Sequence, residues 1–239
     1  MSQSLPKTIL TIHRIPVVSI IITCLLSLGM ISTLLLSWTM WLVALLIALA
    51  WLPMLVIKTA SLYRKYRWFA LFFVLVVTQG AHLLEHVFQM IQIHILGIPA
   101  ALANGLISIL NTEVTHFVWN IWVLALTVTL IFLFPRNHWL KAVLVVSIWH
   151  TIEHTYLLYE ALKTGISGLP GLLGHGGLIG GGLPLSRPDL HFFYNFIEEA
   201  LLLVAYLVQI QQIRAGQHAL ASSAQERATV AGSRTSIAS

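Results

Sequence analysis

Charge is what this chain lacks most. Of 239 residues only 9% are Asp, Glu, Lys or Arg, while 58% are hydrophobic, and the mean hydropathy is +0.87. A water-soluble domain carries about 25% charged residues, so an ordinary soluble fold is excluded. Cysteine is nearly missing as well: Cys24 is the single one, and it lies inside an apolar run. That excludes a disulfide framework and a cysteine-based zinc site. Thirteen Lys and Arg outweigh eight acids, giving a net charge of +5. These basic residues sit at the ends of apolar runs and form no basic hydrophilic face, which excludes nucleic acid as a partner.

Long apolar runs take the place of charge. A membrane helix needs about 20 mostly apolar residues, and six stretches qualify: roughly 15–36, 38–57, 68–95, 104–134, 139–163 and 190–213. The sequence therefore predicts an all-α integral membrane protein, a six-transmembrane-helix bundle occupying residues 1–214. The first run, preceded by Lys7 and Arg14, has the flank of a signal sequence but is too long and lacks a clear cleavage site, so it is read as a retained span. Eleven basic residues (among them Lys7, Lys58, Arg64, Arg136 and Arg214) fall on one side of this arrangement, and only Lys163 and Arg187 on the other. The positive-inside rule then puts both termini in the cytoplasm and the protein in a bacterial cytoplasmic (inner) membrane. Residues 215–239, rich in Ala, Ser, Gln and Arg, read as a disordered cytoplasmic tail. Between the fifth and sixth spans glycine recurs every third residue from Gly165 to Gly180. Either a flexible connector or a packed lid over the bundle fits that pattern.

Five of the eight acids, Glu85, Glu113, Glu153, Glu198 and Glu199, fall well inside predicted spans, whereas every Lys and Arg lies at a span end, a loop or a terminus. Ionisable groups in a bilayer are expensive and mark function by default. On this reading the buried carboxylates have no cationic side chain to pair with. Histidine supplies the missing context. His82-Leu83-Leu84-Glu85-His86 lies in the third span and His150-Thr151-Ile152-Glu153-His154 in the fifth. Positions i, i+3 and i+4 share one helix face, so each pentad gathers two imidazoles and a carboxylate. Glu113 and His116 form a Glu-x-x-His pair in the fourth span, and His191, Asn195 and Glu198 share one side of the sixth. At 1.5 Å per residue all four sets lie about 12–18 Å below the outer end of their spans. The two pentads, both on outward-running helices, suggest a tandem hairpin repeat of helices 3–4 and 5–6.

Imidazole and carboxylate without thiolate suit first-row transition metals. Ten candidate ligands (His82, Glu85, His86, Glu113, His116, His150, Glu153, His154, His191 and Glu198) exceed the needs of one ion and predict two, with iron favoured and zinc or copper possible. The metal-site helices then span 68–213. The Glu-x-x-His element is similar to that of soluble di-iron carboxylate bundles, and His-x-x-Glu-His resembles the inverzincin motif, in which the glutamate is a general base. Gln79, Gln89, Asn120 and Asn195 extend the polar faces as ligand-orienting partners. His13, His94, His138, His175 and His218 read as solvated. The leading expectation is a non-haem di-metal oxidoreductase or oxygenase. It would act on a lipophilic small molecule reached from the lipid bilayer and draw electrons from a separate donor protein. An intramembrane zinc hydrolase, a divalent-metal transporter, a haem carrier and a polar network that only locks helices together are the alternatives.

Overall fold

The computed structural model describes residues 17–32, 39–107 and 111–237. Both edges of the first predicted span, together with Lys7, His13 and Arg14, lie outside the described residues. Among those described, the chain is all-helical: α1 (Val17–Ser32), α2 (Met40–Tyr66), α3 (Phe69–Met90), α4 (Glu113–Leu133), α5 (Trp139–Thr164) and α6 (Arg187–Ile237). A π-helical turn, Ile91–Ile95, ends α3. Four helical stretches are long and apolar enough to cross a membrane: Trp41–Tyr66, Phe69–Ile95, Glu113–Leu133 and Arg187–Ser223. Their outward faces carry exposed Leu52, Val56, Val118, Phe132, Phe196 and Leu203, the surface a lipid solvent selects. These apolar helices mark a membrane protein. Helix α5 is 26 residues long but falls short of the same apolarity, because His150, Glu153 and His154 sit at its centre. Pro53 is carried within α2.

Helices α3, α4, α5 and α6 form a ring in which α3 packs on α6 and α4, and α5 packs on α4 and α6. Helix α2 leans on α3, and α1 on α2. The short α2–α3 and α4–α5 connections lie at one end of the ring. The long α3–α4 and α5–α6 connections lie at the other, called here the loop face. Near the first end the ring is filled with hydrocarbon: Phe72, Leu75, Leu130, Leu140, Val143 and Leu202 are fully enclosed. Phe69 stacks on Tyr206 at 5.0 Å between ring centroids.

Two boundaries differ from those read in the sequence. Helix α4 begins at Glu113 rather than near 104, since Thr112 caps it through a 3.2 Å bond from the Thr115 amide to its hydroxyl. Such a cap satisfies an otherwise orphaned donor, and Asn104 and Gly105 upstream disfavour helix. Helix α6 continues to Ile237, so residues 215–237 extend it instead of forming the separate tail expected. Their Ala, Gln and Arg content has high intrinsic helix propensity. Phe72→Ala should lower stability by about 3–5 kcal/mol, read as an earlier thermal or denaturant transition in detergent micelles.

Candidate metal centre

Moving from the apolar plug toward the loop face, the interior changes character in steps. First comes a hydrogen-bonded layer. Gln79 donates to Asn195 Oδ1 at 3.0 Å and to Glu198 Oε2 at 3.1 Å, and accepts from the Trp119 indole at 2.9 Å. Ser147 donates to the other oxygen of Glu198. Next come six histidines, one or two helical turns further along each helix: His82 and His86 from α3, His116 from α4, His150 and His154 from α5, and His191 from α6. Five of them are buried, His150 and His154 completely.

These imidazoles form two groups that share a member. One ring nitrogen from each of His82, His86, His116 and His191 lies within 4.8 Å of the others, and the same holds for His150, His154 and His191. Within the groups, His82 Nε2 and His86 Nε2 are 3.3 Å apart, His154 Nε2 and His191 Nδ1 3.2 Å, and His150 Nε2 and His191 Nδ1 3.5 Å. Two nitrogens bound tetrahedrally to one ion at about 2.0–2.1 Å are themselves about 3.3–3.4 Å apart. The spacing fits ligands around a cation and equally a hydrogen bond between two imidazoles.

The outward nitrogens are tied down. His86 Nδ1 meets Gln89 Oε1 at 3.2 Å, His116 Nδ1 meets the Thr112 carbonyl at 2.8 Å, and His150 Nδ1 meets Glu198 Oε2 at 3.3 Å. An imidazole that donates from Nδ1 to an oxygen has its Nε2 lone pair free for a metal, and such partners orient ligands in metal sites. Gln89 is itself fixed by donating to the Ala103 carbonyl at 2.8 Å. Gln89 thus stands directly behind His86, whereas Gln79 contacts Asn195, Glu198 and Trp119. Asn120 and Asn195 instead bond back to the carbonyls of His116 and His191, each at 2.9 Å, along their own helices.

The carboxylates behave differently from expectation. Glu85 accepts the Ile107 amide at 2.9 Å, and Glu153 accepts the Leu172 amide at 2.9 Å. Glu113 accepts the Gly168 amide at 3.2 Å and pairs with Arg187 Nη2 at 2.7 Å. Three of the four expected acidic ligands therefore hold the two long connections onto the bundle, and only Glu198 remains beside an imidazole. The premise that the buried acids have no cationic partner also needs correcting. Arg187, one of the two basic residues on this side and one helical turn before His191, reaches across to Glu113. Its spacing from His191 was the available signal. Glu199 aims at Gly80, and its Oε2 has no hydrogen-bond partner. His94, His138, His175 and His218 are exposed, and His94 bonds Asp189 at 2.6 Å.

The connections are packed covers. In the first, Gln92 holds the Gly105 backbone on both sides, accepting its N–H and donating to its carbonyl at 2.9 Å each. In the second, Leu172, Gly174 and Gly177 are buried, and Leu178 and Leu183 bond back to Gly171 and Leu173, which is the lid of the two readings. Gly105 (φ +70°) and Gly171 (φ +77°) have left-handed backbones, and a Cβ on either would collide with the carboxylate of Glu85 or Glu153. Two cavities meet at His86 and His116. One, of about 380 Å³, is mixed in polarity and runs to the loop face past Asn104, Thr112, Ser167 and Arg187 to His191. The other, of about 160 Å³, is mainly apolar and is lined by Ala81, His82, Ile107 and Trp119 between α3 and α4.

Gly171→Ala should unseat the second cover from Glu153. Limited proteolysis should then cut the 165–186 segment at least several-fold faster than in the parent protein. No family model, curated protein or solved structure matches this chain.

Proposed function

We propose that this protein is a membrane-embedded, metal-dependent oxidoreductase whose two first-row ions are held by six imidazoles and which acts on a lipophilic small molecule. The observation that carries this reading is the convergence of those imidazoles from four helices, with three of their outer nitrogens locked by oxygen acceptors. Imidazole suits copper, zinc, iron and nickel. With one oxygen of each of Glu85, Glu113 and Glu153 held by a loop amide, fewer hard anionic donors that would favour iron are left, so copper stands beside it. The apolar cavity at His82 offers a lateral way in for a hydrocarbon-like substrate, and the mixed one at the loop face admits water, oxygen and ions. Electrons would come from a separate donor protein.

The competing readings fare worse. A zinc hydrolase of the His-x-x-Glu-His type needs a glutamate aimed at the water it activates, and in both candidates one carboxylate oxygen is held by a loop amide. A transporter needs a polar path through the membrane, but beyond the Gln79–Glu198 layer the ring is closed by the Phe72, Leu75, Leu130 and Leu202 plug. The asymmetry of Lys and Arg supports six spans with cytoplasmic termini, α1 and α5 included, in a bacterial inner membrane.

Metal analysis with an optical spectrum tests the proposal. Purified full-length protein should hold about two equivalents of copper or iron, and His86→Ala combined with His154→Ala should lose most of it. Tightly bound zinc alone, a haem Soret band, or no metal after replete preparation would each overturn the oxidoreductase.

A further inference from the structure

Resting on the two-ion reading, we infer that His191 is a bridge: it binds one ion through Nδ1 and the other through Nε2. The two histidine groups have this one residue in common. Its Nδ1 faces the α5 pair, 3.2 Å from His154 Nε2 and 3.5 Å from His150 Nε2. Its Nε2 is buried and has no hydrogen-bond partner, although a buried polar nitrogen without one is unfavourable. The ring stands edge-on between the groups, its centroid 4.5 Å from that of His86 and 4.5 Å from that of His154, at interplanar angles of 81° and 82°. With Nδ1 turned to the α5 pair, Nε2 is the nitrogen left for the other group.

Charge balance argues the same way. Two divalent ions among neutral imidazoles would leave a large uncompensated charge in an apolar bundle; Glu85 and Glu153 each give one oxygen to a loop amide, Glu113 pairs with Arg187, and Glu198 meets the outer face of His150. When both ring nitrogens bind metal, the imidazole gives up its single N–H proton. Two nitrogen–metal bonds form, one N–H bond breaks, and the proton passes to water in the cavity at the loop face, which His191 lines. The bridging imidazolate supplies one negative charge between the two cations.

Copper(II) alone is the probe, added to metal-stripped full-length protein in detergent. The bridge predicts two coppers per chain with an electron paramagnetic resonance spin count far below two at liquid-helium temperature, because an imidazolate couples the unpaired electrons antiparallel. His191→Ala should bind copper whose spin count equals its copper content. Should that variant not fold, protein loaded with equal copper and zinc provides the second measurement. Copper beside zinc should regain a full spin per ion, whereas copper that stays silent there overturns the bridge. Two coppers with a full spin count in the parent protein, or coupling that persists in His191→Ala, also overturn the bridge while leaving the two-ion centre standing. Fewer than two coppers per chain overturns the two-ion centre itself, and the bridge with it.

Discussion

Six imidazoles, five of them buried, gathered at one level of an apolar helix ring are the constraint from which the rest of this structure follows. A buried polar group needs a partner. Here the outward nitrogens of His86, His116 and His150 find a glutamine, a main-chain carbonyl and a carboxylate. The inward nitrogens face one another. Neutral imidazoles can share a hydrogen bond in pairs, but six of them closing on a common space leave more lone pairs than donors. A cation bound there, as we propose, would satisfy that excess.

The pentads divide their labour within a single helical turn. In both, the two histidines turn to the interior and the glutamate turns to a loop, where it accepts one amide: Ile107 for Glu85, Leu172 for Glu153. Each contact lies beside a glycine whose missing Cβ makes room for the carboxylate. The same five-residue pattern thus supplies a pair of inward imidazoles and fastens its own cover. A carboxylate accepting a main-chain N–H is a strong, charge-assisted contact, and it fixes irregular backbone that would otherwise be poorly held. At membrane depth such backbone is tolerated only against protein or water, which accounts for how closely both connections are bound.

Below the histidines the ring closes in two stages, a hydrogen-bonded layer around Gln79 and Glu198 and then the aromatic and aliphatic plug around Phe72. The open space lies on the other side, toward the loops and between α3 and α4. The histidine layer is therefore reached from the loop face and from the lateral cavity. The plug keeps the opposite end of the ring dry.

Much of this was readable in the chain. Helical periodicity is local, so apolar runs and the i, i+3, i+4 spacing of His82, His86, His150 and His154 announce helices with shared polar faces, whereas counting from a span start near 104 put His116 too deep, since α4 begins only at Glu113. Orientation within a face is a different matter. Positions i+3 and i+4 differ by about 100°, and whether Glu85 turns to the histidine layer or to a loop depends on an amide that another part of the chain brings within reach. The pairing of Glu113 with Arg187 and the place of His191 between two groups are likewise contacts across 74 and about 40 residues of sequence. Composition and spacing determined that the protein is a helical membrane bundle with a histidine layer. Only the tertiary packing decided which acids face the imidazoles, because that choice is made by neighbours and not by the helix that carries them.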